Sequence, residues 1–592
     1  MDNNTPQHYY KTHLKIYKSQ AEQLYKQMAT LSVLRLVVFV FSCIAIYLVY
    51  QFWQIAILVG VVGTIIFIYL LSKYTDVKYE RKFYKSLAAI NEEELSIASG
   101  DFHNRDEGLE FQEPLHFYSL DIDLFGRGSF FQFINRTVIY EGKQQLSNTL
   151  KANDIQDVEL RQEAIKELAS KPQWRQFYTA NASLVKVETP AKTIINWLNT
   201  YKTFLPHSMK WVPLAFTIVS VLLFVSIILD IIKNPEFLGF WFFFGLGLTG
   251  MYVKRINQLS SNADKVKDTF RQYGLLLDLI ENETFKSDIL QQHQLKIKSE
   301  DEKASEIFKK LSKSLDALDN RNNIIGAIFG NGFFLSDIRN SYQIEQWIGT
   351  YADKVSDWFQ VVSFFDAYNS LGNFAFNHPE FVFPTISNSK TILKAEQLGH
   401  PLLNPSKRVD SDITIDNEQF FIVTGANMAG KSTFLRTVSL HIVMANIGLP
   451  VCAKSSVYNP IKLVTSMRTS DSLTDDSSYF FSELTRLKFI VDTIKKAPYF
   501  IILDEILKGT NSTDKAIGSR KFVEKLVASD ATGIIATHDL SLCDIETELD
   551  AVKNYYFDAE IINDELHFDY KLKKGVCQNM NASFLLKKME IV

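Results

Sequence analysis

The chain has 592 residues, 63 of them basic and 67 acidic, for a net charge of -4. That length supports several domains, each with its own core, and the balanced charge excludes a global pull toward a polyanion, so any nucleic-acid surface must be a local patch. Cys43, Cys452, Cys543 and Cys577 are the only cysteines and lack metal-type spacing, which argues against a zinc site or a disulfide scaffold and points to a reducing compartment.

From residue 36 to residue 72 there is no charged side chain. The run is too long for one membrane crossing of about 20 residues and suits two, joined by a tight turn near residues 51–54. A signal peptide does not fit, because a long charged segment precedes the run and the run exceeds an h-region. A second pair follows: residues 211–229 are uncharged, 230–236 are polar with a proline, and 237–253 are apolar and rich in Phe and Gly. Here the competing reading is a very apolar hairpin buried in a core. Lys11, Lys15, Lys18, Lys26 and Arg35 precede the first pair and Lys73, Lys78, Arg81 and Lys82 follow it, while its turn is uncharged. Lys202, Lys210, Lys254 and Arg255 flank the second pair. By the positive-inside bias both hairpins return the chain to the cytoplasmic face. The expectation is an integral membrane protein with four transmembrane helices and cytoplasmic soluble domains, at the inner membrane if bacterial.

Beyond the second pair, Leu259, Ala263, Val266, Phe270, Tyr273, Leu277 and Ile280 recur at steps of four and three, the seam of a helix packed along another long helix. Directly after an apolar span, such a seam suggests a rigid arm rising from the bilayer. Ala304, Ile307, Leu311, Leu315 and Leu318 mark a second amphipathic helix that could be its partner, with a mixed-charge solvated outer face.

The C-terminal third changes period. Residues 420–424, 499–503 and 532–537 are short, nearly continuous runs of β-formers separated by helical patterns, as expected for buried parallel strands of an α/β sheet. After the first comes Gly425-Ala426-Asn427-Met428-Ala429-Gly430-Lys431-Ser432-Thr433, which has the full G-x-x-x-x-G-K-[ST] spacing of a phosphate-binding loop between strand and helix. Its glycines let successive N–H groups and the helix N-terminus face an anion. Lys431 is placed for the β- and γ-phosphates of ATP and the Ser432 hydroxyl for Mg²⁺. The second strand ends in Asp504, suited to the Mg²⁺ shell, and Glu505, suited to orient or deprotonate the attacking water. The third ends in His538, where strand carboxyl ends gather ligands, as a sensor of the γ-phosphate. Alone, the acidic pair reads as surface and the histidine as structural; with the loop they read as one γ-phosphate site.

The string Thr-Gly-Ala-Asn-Met-Ala-Gly-Lys-Ser-Thr-Phe-Leu-Arg-Thr at residues 424–437 resembles the phosphate loop of the MutS family of DNA mismatch repair ATPases, in which Asn-Met precedes Gly-Gly-Lys-Ser-Thr. Gly399-His400-Pro401, Ser478-Tyr479-Phe480-Phe481-Ser482-Glu483, Asp504-Glu505-Ile506-Leu507-Lys508-Gly509-Thr510-Asn511 and Ala536-Thr537-His538-Asp539 match in order. Asn135-Arg136-Thr137 and Leu160-Arg161-Gln162-Glu163-Ala164-Ile165 are similar to the family's helical core. The likeness covers about residues 115–580, interrupted by the second apolar pair. It implies that Asn427 lies by the γ-phosphate, that Ser478 acts across a homodimer of ATPase domains, and that hydrolysis follows dimer closure.

The implied organisation is a cytoplasmic segment (1–30), a transmembrane hairpin (31–73), a helical core-like region (74–210), a second hairpin (211–253), a lever-like helical region (254–395) and an α/β P-loop NTPase domain of the ABC/MutS type (396–592). Departures from the family are as telling. No room exists between residue 72 and the core for a mismatch-reading domain; Phe111-Gln112-Glu113 spells the Phe-x-Glu wedge motif, but its setting favours an ordinary loop. The DNA-gripping clamp is missing where the second apolar pair stands, and the C-terminus lacks the helix-turn-helix extension. Ala429 replaces a glycine at a tolerant position. The expected function is a membrane-anchored, Mg²⁺-dependent MutS-like ATPase linked to DNA. The alternative is an ATP-driven membrane switch acting on a protein or lipid partner. An ABC-type transporter is weaker, since the spans offer few polar groups and no Leu-Ser-Gly-Gly-Gln string occurs.

Overall fold

The apolar run near the N-terminus folds as the middle of a long helical hairpin, α1 (Pro6–Leu48) and α2 (Trp53–Ala98). The computed structural model describes residues 5–185, 189–229, 231–234, 236–298, 302–319, 324–426, 428–468, 479–508, 510–562 and 565–578. Thr5 caps α1 by accepting from the N–H of His8, and Pro6, whose fixed φ suits a first turn, starts it. The helices break at residues 49–52, close to the expected turn. They pack closely at Gly63, where a Cβ would lie 2.3 Å from the Ser42 hydroxyl, the small-residue contact that lets apolar helices approach.

Short helices α3 (Phe130–Ile134), α4 (Tyr140–Lys151), α5 (Val158–Ala169), α6 (Pro172–Leu184) and α7 (Ala191–Thr200) follow. Then come the apolar α8 (Val212–Ile228) and the 47-residue α9 (Glu236–Asn282), which continues unbroken from apolar segment to seam. All seven seam residues are buried, and α11 (Ala304–Asp319), after α10 (Asp288–Leu295), buries its five expected positions. α9 and α11 pack together, so the expected pairing forms. An apolar helix not anticipated from sequence, α12 (Ile324–Phe334), precedes α13 (Ser336–Asn377), around which α4, α5, α9 and α11 pack.

Among the described residues three helices, α1, α2 and α9, are long and apolar enough to cross a membrane. Four were expected; α8, with 17 residues, reaches only about 26 Å at an α-helical rise. The hairpin is locked to the helical body well away from its apolar part. Glu94 of α2 is buried and accepts from Arg136 Nε at 2.5 Å and from the amides of Asn373 and Asn377 at 2.9 Å each. Tyr10 of α1 donates to Asn377 Oδ1 at 2.7 Å.

The remaining strands are β1 (Thr385–Ile386), β2 (Thr391–Leu398), β3 (Ser411–Asp416), β4 (Phe420–Gly425), β5 (Ser455–Tyr458), β6 (Lys462–Ser466), β7 (Tyr499–Asp504), β8 (Thr532–Ala536), β9 (Val552–Ile562) and β10 (Glu565–Lys574). Between them lie α14 (Lys431–Asn446), α15 (Tyr479–Ile494) and α16 (Ser512–Val527). The larger sheet runs β10-β9-β4-β8-β7-β6, parallel except for β10 at the edge. Its central strands β4 and β8 are buried throughout, which is why their sequences do not alternate. The smaller sheet runs β1-β5-β2-β3 and begins before residue 396, so β2 straddles the expected domain boundary.

Segment 116–123 fastens the helical body to this domain. Asp121 accepts from Thr465 Oγ1 at 2.5 Å and from the N–H of Arg468 at 2.8 Å, and Asp123 pairs with Arg468 at 2.6 Å and Arg436 at 3.3 Å. Arg486 of α15 donates to the carbonyls of His116, Phe117 and Thr465.

Candidate functional site

Strand β4 ends at Gly425, whose φ of +147° and closeness to the Phe557 carbonyl, 2.7 Å from where a Cβ would sit, admit only glycine without strain. The chain then turns through Met428 (φ +67°) and Gly430 (φ +104°) into α14. Lys431, the first residue of that helix, is buried, and its ammonium folds back over the loop, donating to the carbonyls of Gly425 at 2.9 Å and Ala426 at 3.1 Å. Burial pushes its pKa down, opposed by the charges of Glu505 and Asp504.

Next to it, Ser432 Oγ donates to Asp504 Oδ2 at 2.7 Å, and His538 Nε2 lies 3.2 Å from Lys431 Nζ and 2.9 Å from Glu505 Oε1. Asp504, Glu505 and His538 arrive from neighbouring strands: β7 pairs in parallel with β8, putting Asp504 opposite Ala536. Glu505, at a left-handed φ of +47°, donates its N–H to the Ala536 carbonyl, which turns its side chain across the strand ends toward the histidine. Hydrogen bonding from His538 holds the Glu505 carboxyl down at about 2, with Lys508 and Lys515 adding to the effect and burial opposing it.

Lys431, Ser432, Asp504, Glu505 and His538, chosen from sequence, therefore meet in one place. They line a cavity of about 700 Å³ together with Ala426, Met428, Gly430 and Thr433. Ala429 is buried within the turn, and Met428 is largely exposed. Asn427, Ser478 and Gly509 lie outside the described residues. Of the matched segment after Ser478, Glu483 is buried on α15 and accepts the N–H of Lys508 at 3.1 Å, tying that helix to the loop after Glu505.

Sequence reasoning missed the far wall of the cavity, built by Leu398, Arg408, Val409, Phe557 and Tyr570, with His400 among them. His400 had been noted only as part of a motif; burial, then Arg436 and Arg408, push its pKa down to about 4. Apart from His400 these residues carry no motif; Leu398 stands on β2, Phe557 on β9 and Tyr570 on β10, and strand pairing brings those three to the cavity. Phe111 is buried against Phe125 and Phe131, and Glu113 pairs with Lys151, so the Phe-x-Glu string belongs to the core and its edge and not to an exposed wedge. Among the described residues no group of three or more His, Cys, Asp and Glu side chains that could hold a metal ion occurs.

Residues 421–588 match MutS domain V. The chain is similar to the DNA mismatch repair protein MutS of Staphylococcus haemolyticus, 28% identical over 240 residues that make up 39% of this chain and 27% of that protein. It is also similar to the MutS protein homolog 4 of Homo sapiens, 30% identical over 224 residues (36% and 23%), and to MutS of Methanococcoides burtonii, 31% identical over 242 residues (39% and 27%). The match spans about a quarter of the length of these relatives.

Proposed function

Because the chain belongs to the MutS family through its C-terminal domain, we propose that it is a membrane-anchored, Mg²⁺-dependent ATPase whose ATP binding and hydrolysis are coupled to closure of a homodimer. The convergence of Lys431, Ser432, Asp504, Glu505 and His538 at the ends of parallel strands carries this reading. Backbone N–H groups of the loop and the Lys431 ammonium hold the phosphates, and the family resemblance assigns Asn427 to the terminal one. A hydroxyl and a carboxylate 2.7 Å apart, Ser432 and Asp504, are hard oxygen donors that fit Mg²⁺, which when bound offsets phosphate charge.

Glu505 positions the attacking water. A carboxyl held near 2 is a weak base, so orientation outweighs proton abstraction. His538 fixes the direction of that carboxylate and faces the γ-phosphate beside Lys431. Ser478 of the partner subunit completes the site on closure. Leu398, His400 and Tyr570 offer an apolar and aromatic wall for the nucleotide base. The Glu483 bond to Lys508, the Arg486 bonds from the same helix to the carbonyls of Thr465, His116 and Phe117, and the Asp121 bond to Thr465 give a change at Glu505 a contiguous route into the helical body.

The apolar parts of α1, α2, α8 and α9 anchor the chain, with the ATP site on the side of the basic flanks. The names of the relatives support a DNA-linked, mismatch-repair-like role. A second reading, an ATP-driven membrane switch without DNA, is favoured by the burial of Phe111 and by the run of α9 into an apolar tip. ATP turnover of the protein in lipid discs, with and without homoduplex or heteroduplex DNA at two salt concentrations, separates them. Stimulation that weakens with salt supports the DNA role; no stimulation and no binding leaves the switch. Release of the protein from vesicles by carbonate would refute the anchor.

A further inference from the structure

Helix α12 reads Ile-Ile-Gly-Ala-Ile-Phe-Gly-Asn-Gly-Phe-Phe and has no charged residue. It packs on the apolar parts of both α8 and α9. The Phe333 ring lies 4.9 Å from Phe224 of α8 and 5.1 Å from Phe242 of α9, and Ser220 of α8 donates to the Phe333 carbonyl at 2.6 Å. α12 and α9 approach closely at two glycines: a Cβ on Gly245 would meet the Gly332 backbone carbonyl, and one on Gly332 would meet the Phe242 ring. α12 thus sits at the depth of residues 242–245, inside the apolar segment of α9.

Its other face is uncovered and apolar. Ile324 and Ile325 are 72% and 70% exposed, and Phe329 is exposed too, alongside Phe240 and Phe243 of α9. The polar side chain of Asn331 turns inward and accepts the N–H of Asp337 at 2.9 Å. With 11 residues α12 is about 17 Å long, roughly half a hydrocarbon core. Both neighbours belong to the helical body: α11 ends at Asp319, paired with Lys267 at 2.5 Å, and α13 runs from Ser336 into the core. α12 therefore enters and leaves on one side.

We propose that α12 is a re-entrant helix embedded in the near leaflet, its Ile324, Ile325 and Phe329 face in contact with lipid acyl chains, so that α8, α9 and α12 form one membrane unit joined directly to α13. The assignment rests on the membrane reading of α8 and α9. Continuity with their exposed apolar surface selects lipid as the occupant, because non-spanning backbone at membrane depth is stable where it is helical and packed on protein.

The test is nitroxide labelling of the full chain in a Cys43→Ser background, reconstituted into phosphatidylcholine–phosphatidylglycerol vesicles. Ile325→Cys is compared with Phe243→Cys on α9 and with exposed Lys309→Cys on α11. The signal of the unlabelled-site parent, which keeps the buried Cys452, Cys543 and Cys577, is subtracted. The expected result is a ratio of oxygen to nickel-chelate collisions several-fold higher at 325 and 243 than at 309. A lipid-like ratio at 243 with an aqueous ratio at 325 overturns the re-entrant helix and leaves the anchor standing; aqueous ratios at both overturn the anchor as well. If Ile325→Cys does not fold, Ile328→Cys on the same helix is read by the same criterion.

Discussion

Replacing Glu505 by Gln removes one charge and almost no volume. The side chains of Glu505 and His538 are 25% and 35% exposed and 2.9 Å apart, so solvent screens their pairing and its loss should cost only about 1 kcal/mol. The amide can still meet the histidine ring. Water orientation, in contrast, depends on a carboxylate that accepts strongly, and losing such a positioned group lowers turnover by roughly 10²–10⁴-fold. ATP binding should persist, since Lys431 and the Gly425–Lys431 turn are untouched and a negative charge beside the triphosphate is gone. Because the folded carboxyl titrates near 2 against an ordinary 4.5, its charge adds stability that is present above 4.5 and lost as pH falls through 2. The stability gap between the native protein and Glu505→Gln should close over that window. The assay is phosphate release from protein in lipid discs, beside retention of labelled ATP. Turnover within about tenfold of the native protein would show that Glu505 does not position the water.

Three further outcomes follow from other sites. Asp366 is buried, accepts the N–H groups of Val138 at 3.0 Å and Ile139 at 3.1 Å, and is pushed by burial to about 7, so its stability contribution is full below 3.8 and lost as pH rises through 7. Asp366→Asn keeps an acceptor without titrating; the native chain should lose up to ~4 kcal/mol relative to it across the whole window, about 3 kcal/mol of it between pH 5 and 8, read as urea midpoints at those two pH values, and parallel profiles would contradict the assignment. Gly425→Ala forces a side chain against the Phe557 carbonyl at a positive φ, at a cost of about 1–3 kcal/mol, and should abolish nucleotide retention while α1 to α13 stay folded by circular dichroism. Glu94→Ala leaves Arg136 buried without its carboxylate, and should destabilise the junction of hairpin and body by about 3–5 kcal/mol; a smaller loss in a protease-protection assay of α1 and α2 would show that the junction is held elsewhere.

The parts legible beforehand share a short-range cause. The turn between β4 and α14 was readable because a backbone that wraps an anion demands Gly425 and Gly430 at fixed offsets, and β4, β7 and β8 because strands buried on both faces are unbroken apolar runs. The seam of α9 was readable because burial on one face imposes a 3.6-residue period. α12 escaped notice because 11 apolar residues are too few to signal a span, and because its Gly332 serves a contact with Phe242 of α9 and its Gly330 one with Ser336 of α13.

By itself the sequence determined where the nucleotide loop, the buried strands and the uncharged segments lie, since hydropathy and backbone stereochemistry act over neighbouring residues. Tertiary structure alone decided that Lys431 and His538, 107 residues apart, stand 3.2 Å from each other, that His400 and Tyr570 close the cavity, and that Glu94 bolts the first hairpin to Arg136 and Asn377. Those pairings depend on strand order and on helices meeting across long loops, where the free energy belongs to the packed whole and leaves no periodic trace in the chain.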